Sequence, residues 1–124
     1  MEIKLSIVVP CYNEEAVLHA FYREITKVLT EDMKQVKYEI IFVDDGSKDT
    51  TVQIIEDLSN RDGHVQDVSF SRNFGKESAM YAGLMYADGD YTVIMDADLQ
   101  HPPKYIPETY QIIQSGNYDM VATR

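Results

Sequence analysis

Leu5-Ser6-Ile7-Val8-Val9-Pro10-Cys11-Tyr12-Asn13-Glu14-Glu15 is the stretch on which the fold turns. Leu5 to Val9 is an apolar run of strand length, and Pro10 is expected to end it. Directly afterwards Val17, Leu18, Phe21, Ile25, Val28 and Leu29 recur at helical spacing. A strand that runs straight into an amphipathic helix is the opening of an α/β protein.

The same alternation continues along the chain. Ile40 to Val43 predicts a second strand, and Asp49 or Thr50 is placed to cap a helix burying Val52, Ile55 and Leu58. Val65 to Phe70 predicts a third, more polar strand. Ala79, Met80, Gly83, Leu84 and Ala87 form another helical stripe, and Tyr91 to Met95 reads as a fourth strand. Pro107 suits the first turn of a helix reaching Ile113, and Met120 to Ala122 makes a short last strand. Strands alternating with helices imply a mostly parallel sheet with helices on both faces, joined by right-handed crossovers.

The totals bound the function. A chain of 124 residues forms one domain at most. It is long enough to remove roughly two-thirds of its unfolded surface from water. A formal net charge of −10 argues against binding nucleic acid or anionic lipid through a basic patch. It does not exclude a nucleotide, because a divalent cation offsets phosphate charge locally. The single cysteine, Cys11, permits no intrachain disulfide and suits a reducing compartment. Glu2 and Lys4 interrupt any signal peptide, and no stretch approaches the ~20 apolar residues of a membrane span. Read by itself the chain is expected to be cytoplasmic.

Ligands of open α/β sheets bind at the carboxyl ends of the strands, so the segments after each strand hold the candidate chemistry. After the first come Pro10, Tyr12, Asn13, Glu14 and Glu15. They read either as a capped helix start, with Asn13 as N-cap, or as a pocket for a base, with the flat ring of Tyr12 and the acceptor of Glu14. After the second, Asp44 and Asp45 precede a Gly46-Ser47 turn. The pair either solvates at the surface or accepts from a base N–H. After the third, Arg72 and Lys76 bring two cations to a helix start, where free N–H groups attract anions. A solvated basic turn fits the same residues. After the fourth, Asp96-Ala97-Asp98-Leu99-Gln100 puts Asp96 and Asp98 on one side of an extended run. With the Gln100 amide they form an oxygen set suited to Mg²⁺ or Mn²⁺. His101 reads as a loop residue. Four such signals at four successive strand ends weigh more together than singly.

Taken in order, Val8 to Glu15, Val43-Asp44-Asp45-Gly46-Ser47-Lys48-Asp49, Ser71-Arg72-Asn73-Phe74-Gly75-Lys76-Glu77 and Met95 to Pro103 resemble the family 2 glycosyltransferases of GT-A (Rossmann-like) fold. They are most similar to the branch of dolichyl-phosphate mannose synthase and the bactoprenol (undecaprenyl-phosphate) glucosyltransferases. The resemblance implies that Pro10, Tyr12, Glu14 and Asp45 hold the nucleobase with Asp44 beside them. It implies that Asp96 lies along the ribose and sugar, and that Asp98 and Gln100, with Asp96, bind the metal. Asp96 and Asp98 would then carry the catalytic role. Arg72, Lys76 and Arg124 would approach phosphate of the donor or the acceptor. The implied reaction moves a hexose from a nucleotide diphosphate sugar to a polyprenyl phosphate. UDP-glucose or a related UDP-sugar is the expected donor, with GDP-mannose the alternative.

The chain stops at Ala122-Thr123-Arg124, directly after a predicted strand. Residues 1–124 are therefore expected to be the N-terminal, nucleotide-sugar-binding half-domain of a longer enzyme whose relatives sit at the cytoplasmic face of the membrane. An unfinished sheet edge and uncovered apolar faces leave room for a homo-oligomer. Two rival classes remain. A non-catalytic nucleotide-binding module would bind without turnover. A receiver-type signalling domain would need an acidic pair directly after the first strand and a lysine after the last, whereas Pro10-Cys11-Tyr12-Asn13 follows the first strand and Thr123-Arg124 follows Met120 to Ala122. A dinucleotide-binding Rossmann domain would need a Gly-x-Gly-x-x-Gly turn after the first strand, where the chain has Pro10-Cys11-Tyr12.

Overall fold

The computed structural model describes residues 3–97 and the backbone of 120–122. Strand β1 (Ile3–Cys11) leads into helix α1 (Leu18–Lys27), which widens into a π-helical turn over Val28–Asp32. Then follow β2 (Val36–Asp44), α2 (Thr51–Arg61), β3 (Val65–Ser69), α3 (Lys76–Tyr86), β4 (Tyr91–Ile94) and β5 (Met120–Ala122). The π turn comes where the hydroxyls of Thr26 and Thr30 bond back to the carbonyls of Tyr22 and Thr26, both at 2.7 Å. Such back-bonding competes with the helix's own ladder. The expected helix from Pro107 lies outside the described residues.

The strands lie in the order β3-β2-β1-β4-β5, and every neighbouring pair is parallel. Alternation along β1 divides the core in two. Leu5, Ile7 and Val9 join Ile40 and Phe42 of β2 under α1 and α2, packed with Leu18, Phe21, Ile25, Ile55 and Leu58. Phe21 meets Phe42 edge-to-face at 6.2 Å. Val8, Ile41, Val43 and Ile94 face the other way and are covered by α3 through Ala79. Helices therefore cover both faces, as the alternation predicts.

Pro10 does not end β1. The strand runs one residue further, pairing Pro10 with Val43 and Cys11 with Asp44. The even residues of β1 turn their peptide groups toward β4: the carbonyls of Lys4 and Val8 accept from Asp90 and Met95. At Pro10 that side lies beyond Ile94, the last β4 residue paired with β1. A residue without an N–H is tolerated there because, among the described residues, no strand pairs with it on that side.

Helix α3 rides close on the sheet. A Cβ at Gly83 would stand 2.3 Å from Val8 Cγ1, so only glycine lets the helix settle on β1. The outer side of α3 is also apolar, with Tyr81, Met85 and Tyr86 exposed. Among the described residues no helix is long and apolar enough to cross a membrane.

At the amino ends of the strands a polar cluster lies under the end of α3. Buried Glu39 accepts from the Ser6 hydroxyl at 2.6 Å, from the Asp88 backbone N–H at 2.9 Å and from the Gln66 amide. The Lys4 ammonium stands 3.7 Å away. Ser6 Oγ in turn accepts from Gly89 N–H at 2.9 Å. This network closes the turn between α3 and β4 at the edge of the sheet away from the strand-end loops.

Candidate functional site

The segments after β1, β2, β3 and β4 meet at the carboxyl edge of the sheet. The first two lock together. Asn13 adopts a left-handed backbone, φ 53°. Its N–H donates to Ser47 Oγ at 2.8 Å, while its Oδ1 accepts from Lys48 N–H at 2.9 Å. Glu14 N–H donates to Thr51 Oγ1, and Glu15 accepts from the Thr50 N–H and hydroxyl. Asn13 is therefore not the N-cap of α1, which starts at Leu18 without a side-chain cap bond. Its left-handed turn lifts Tyr12 into solvent, 40% exposed, beside Glu14. At α2 the cap comes from Asp49, whose Oδ1 accepts from Thr51 N–H at 2.9 Å.

The adjacent carboxylates after β2 escape mutual repulsion by diverging. Asp44 is fully buried. Its Oδ2 accepts from Ser47 N–H at 3.0 Å, while Oδ1 is the one buried side-chain polar atom without a partner among the described residues. Asp45 turns to the segment after β3. Its Oδ1 accepts from Phe74 N–H at 2.8 Å, and its Oδ2 from Gly75 N–H at 3.0 Å and Asn73 Nδ2 at 3.1 Å. Gly46 makes the approach feasible, with φ 71° and its missing Cβ pointing at the Arg72 carbonyl carbon 2.2 Å away.

Beyond that turn, Lys76 is the first residue of α3, and its ammonium lies 2.7 Å from Asp96 Oδ1 at the end of β4. The result is a cleft of about 220 Å³. Pro10, Cys11, Tyr12 and Glu14 from the first segment line it with Asp45, Lys76, Ala79 and Asp96. Six candidates read from the sequence are thereby brought together: Pro10, Tyr12, Glu14, Asp45, Lys76 and Asp96. Two are not. Asp44 lies behind the cleft, and Arg72 stays outside it with its guanidinium 4.7 Å above the Phe74 ring. Asp98, Gln100 and Arg124 lie outside the described residues, and among those described no cluster of three metal-ligating side chains occurs.

Cys11 and Ala79 also line the cleft and Asn73 braces Asp45, roles beyond those expected of them from the sequence. Ala79 carries a local signal, since a small residue one turn into a helix leaves room above it. Asn73 carries none, because its partner lies 28 residues earlier. Burial pushes the Cys11 thiol well up, and the negative charges of Glu14, Asp44 and Asp96 push it further. An ordinary thiol titrates near ~8.5, and its reactivity follows the thiolate fraction. Alkylation of Cys11 by iodoacetamide at pH 8 is therefore expected to run more than about tenfold slower in the native protein than in urea. Equal rates would show that the thiol is open.

A cleft that combines an exposed aromatic ring, carboxylates and a cation–carboxylate pair at a helix start suits a ligand with a flat polar ring and an anionic tail. Comparison with known proteins identifies the family and the fold. The model of glycosyl transferase family 2 matches residues 6–124. A prophage bactoprenol glucosyl transferase homolog of Escherichia coli (strain K12) is 43% identical over 122 residues, covering 98% of this chain and 39% of its own. The undecaprenyl-phosphate 4-deoxy-4-formamido-L-arabinose transferase of Proteus mirabilis (strain HI4320) is 41% identical over 122 residues, covering 98% and 36%. The chain thus spans less than two-fifths of these relatives' length. Among solved structures, S. aureus TarS residues 1–349 in complex with UDP superposes with a TM-score of 0.71 at 23% identity, over 93% of this chain and 33% of that one. The mannosyltransferase PcManGT from Pyrobaculum calidifontis, in complex with GDP-Man and Mn²⁺, gives 0.67 at 25%, over 79% and 28%. The parallel sheet, the cleft at its carboxyl edge and the family match across nearly the whole chain lead to one conclusion: this chain has the GT-A fold and belongs to glycosyltransferase family 2.

Proposed function

We propose that the protein acts in a metal-dependent, inverting glycosyl transfer that moves a hexose from a nucleotide diphosphate sugar to a polyprenyl phosphate. UDP-glucose or a related UDP-sugar is the donor of choice, with GDP-mannose the alternative. The observation that carries this reading is the make-up of the cleft. Tyr12 and Glu14 line it together with the Lys76–Asp96 ion pair. Pro10, Tyr12, Glu14 and Asp45 receive the base, with Asp44 beside them. Asp96 runs along the ribose and sugar, and Lys76 meets the diphosphate. Arg72 and Arg124 are left for phosphate at the periphery or on the acceptor.

A hard divalent cation, Mg²⁺ or Mn²⁺, fits beside Asp96. Asp96 Oδ1 already accepts a cationic partner at 2.7 Å, and its carboxylate is open to the cleft. Asp98 and Gln100 would complete the protein's share of an oxygen shell. When bound, the metal supplies neutralisation of the charge that develops on the diphosphate leaving group. Lys76 adds a fixed positive charge beside the same carboxylate, an electrostatic contribution that needs no reorganisation during reaction. A phosphate monoester acceptor is already anionic near neutral pH, with a second pKa of ~6. It therefore attacks the anomeric carbon without a strong general base. The names of the bactoprenol and undecaprenyl-phosphate relatives support that acceptor, and the Mn²⁺ beside GDP-Man in PcManGT supports the metal.

Calorimetric titration with UDP, with and without Mn²⁺, beside GDP and an Asp98→Ala variant, tests the reading. Removing the metal is expected to weaken UDP binding by about tenfold or more, because a diphosphate then meets carboxylates opposed by Lys76 alone. Asp98→Ala should reproduce that loss with Mn²⁺ present, and GDP should bind less tightly than UDP. UDP binding that ignores both metal and Asp98 would remove the metal from the proposal. Binding with no sugar released or transferred, even by a longer chain, would favour a non-catalytic module.

A further inference from the structure

We propose that the protein carries a second binding site, for a phosphomonoester, in the groove between α1 and α2. The proposal goes beyond the nucleotide reading and does not depend on it.

The groove holds a cavity of about 270 Å³, lined by His19, Tyr22 and Arg23 of α1 and by Leu58 and Arg61 of α2. It shares no lining residue with the strand-end cleft. Helical spacing brings these side chains together. His19, Tyr22 and Arg23 stand at i, i+3 and i+4 on α1, and Leu58 and Arg61 at i and i+3 on α2. Both helices pack on the same apolar layer of the sheet, so their facing edges meet in one groove.

Charge marks the groove. Along the whole chain Asp and Glu outnumber Lys and Arg by 21 to 11. Yet two of the five lining residues are arginines, a third is a histidine and none is an acid. The acids that touch this group are already engaged. Asp57 meets one terminal nitrogen of Arg61 at 2.6 Å, one turn along the same helix. Asp62 Oδ2 accepts from the Tyr22 hydroxyl at 2.5 Å, and its Oδ1 accepts from the backbone N–H of His64 at 2.9 Å. Arg61 therefore has a structural use, closing an i, i+4 pair in the last turn of α2. The side chains of Arg23 and His19 make no hydrogen bond or ion pair among the described residues.

The donor set selects the ligand. A guanidinium offers five N–H donors in a planar fork that matches two oxygens of a phosphate. Arg23 has its whole fork open, Arg61 keeps the N–H groups that Asp57 leaves, and the His19 ring adds another donor. Leu58, 2% exposed, and the ring of Tyr22 supply apolar surface in the same cavity. The Tyr22 hydroxyl is spent on Asp62, and burial followed by that bond pushes the phenol up to about 12, so the ring stays uncharged. Oxygens for the arginines and a carbon group for Leu58 and Tyr22 together describe an organic phosphate. A soluble phosphomonoester and a phosphomonoester lipid headgroup share that chemistry. Without a carboxylate in the lining, a divalent cation is not the occupant.

The test is a ¹H–¹⁵N NMR titration of the 124-residue chain with phenyl phosphate and with inorganic phosphate. Phenyl phosphate is expected to shift the amides of residues 19–23 and 58–61 saturably, with a Kd of about 1 mM. Inorganic phosphate should shift the same amides more weakly, because it leaves the apolar surface bare. Arg23 is exposed, so Arg23→Gln should keep the wild-type spectrum while weakening phenyl phosphate about tenfold, the size of a lost charge-assisted hydrogen bond. Arg61→Gln should act in the same direction. Lys76→Gln should stay within about twofold of wild type, because the cation of the cleft takes no part. Shifts confined to residues 12–15 and 73–79 would overturn the proposal, as would an affinity that ignores both arginines. No saturation by about 20 mM would overturn it too. Sedimentation with vesicles of phosphatidic acid, against phosphatidylcholine alone, then separates the two sources. Cosedimentation that phenyl phosphate competes away and Arg23→Gln abolishes assigns the site to a lipid headgroup. Phenyl phosphate binding without cosedimentation assigns it to a soluble phosphomonoester.

Discussion

Replacing Gly46 by alanine is expected to lower stability by about 3–4 kcal/mol and to abolish measurable nucleotide binding. A left-handed backbone at an L-residue with a Cβ costs roughly 1–2 kcal/mol, and Gly46 has φ 71°. The larger effect is steric. The new Cβ would stand 2.2 Å from the Arg72 carbonyl carbon and 2.4 Å from Asn73 N, both backbone atoms that no rotamer change removes. The turn cannot simply retreat, because Asp45 holds Phe74 and Gly75 by their N–H groups. Retreat breaks those bonds, each worth about 1 kcal/mol net, and carries Lys76 away from Asp96. Urea denaturation measures the first consequence and calorimetry with UDP the second. A Gly46→Ala protein within about 1 kcal/mol of wild type, still binding UDP, would mean that the segments after β2 and β3 do not meet as described.

This contact marks the boundary of what the sequence makes legible. The strands, the helices and their alternation are written in local periodicity. Parallel pairing and coverage of both faces follow from that order, because a strand–helix–strand unit has few other ways to bury its apolar surface. The convergence of Pro10, Tyr12, Glu14, Asp45, Lys76 and Asp96 on one edge is legible for the same reason: each stands at the carboxyl end of a strand or in the segment that leads from it. The use of each side chain was not. Asn13 has the composition of an N-cap, but its partners are Ser47 and Lys48, 34 and 35 residues on. Asp44 and Asp45 are chemically identical neighbours. One is buried behind the cleft and the other clamps a turn about 30 residues away. Arg72 and Lys76 are both cations after β3, yet only Lys76 enters the cleft, because the helix start aims it there while Arg72 lies over Phe74. Partner choice between distant loops depends on three-dimensional register, and no spacing within one segment encodes it.

Glu39→Ala is expected to cost about 3–5 kcal/mol while leaving UDP affinity below the melting transition unchanged. Glu39 carries an acid within a strand whose following residues, Ile40 to Val43, are fully buried. It is tolerated because every side of its carboxylate is met: the Ser6 hydroxyl, the Gln66 amide, the Asp88 backbone N–H and, further off, the Lys4 ammonium. Truncation removes the common acceptor and leaves the fully buried Ser6 hydroxyl to find a new partner in a space that water must enter or leave empty. Ser6 also receives the Gly89 N–H, and a Cβ at Gly89 would stand 2.6 Å from that hydroxyl, so the turn has little freedom to follow. Glu39→Gln, which keeps one acceptor oxygen and the volume, should lose about half as much. Urea denaturation of the three proteins gives these differences directly. Because the network closes the amino end of the sheet, and the cleft is built from loops at the carboxyl end, stability and nucleotide affinity should separate in these variants. A Glu39→Ala protein that unfolds like wild type would show the cluster to be surface decoration. One that loses UDP affinity in proportion to its stability would show that the two ends of the sheet are coupled through β1 and α3.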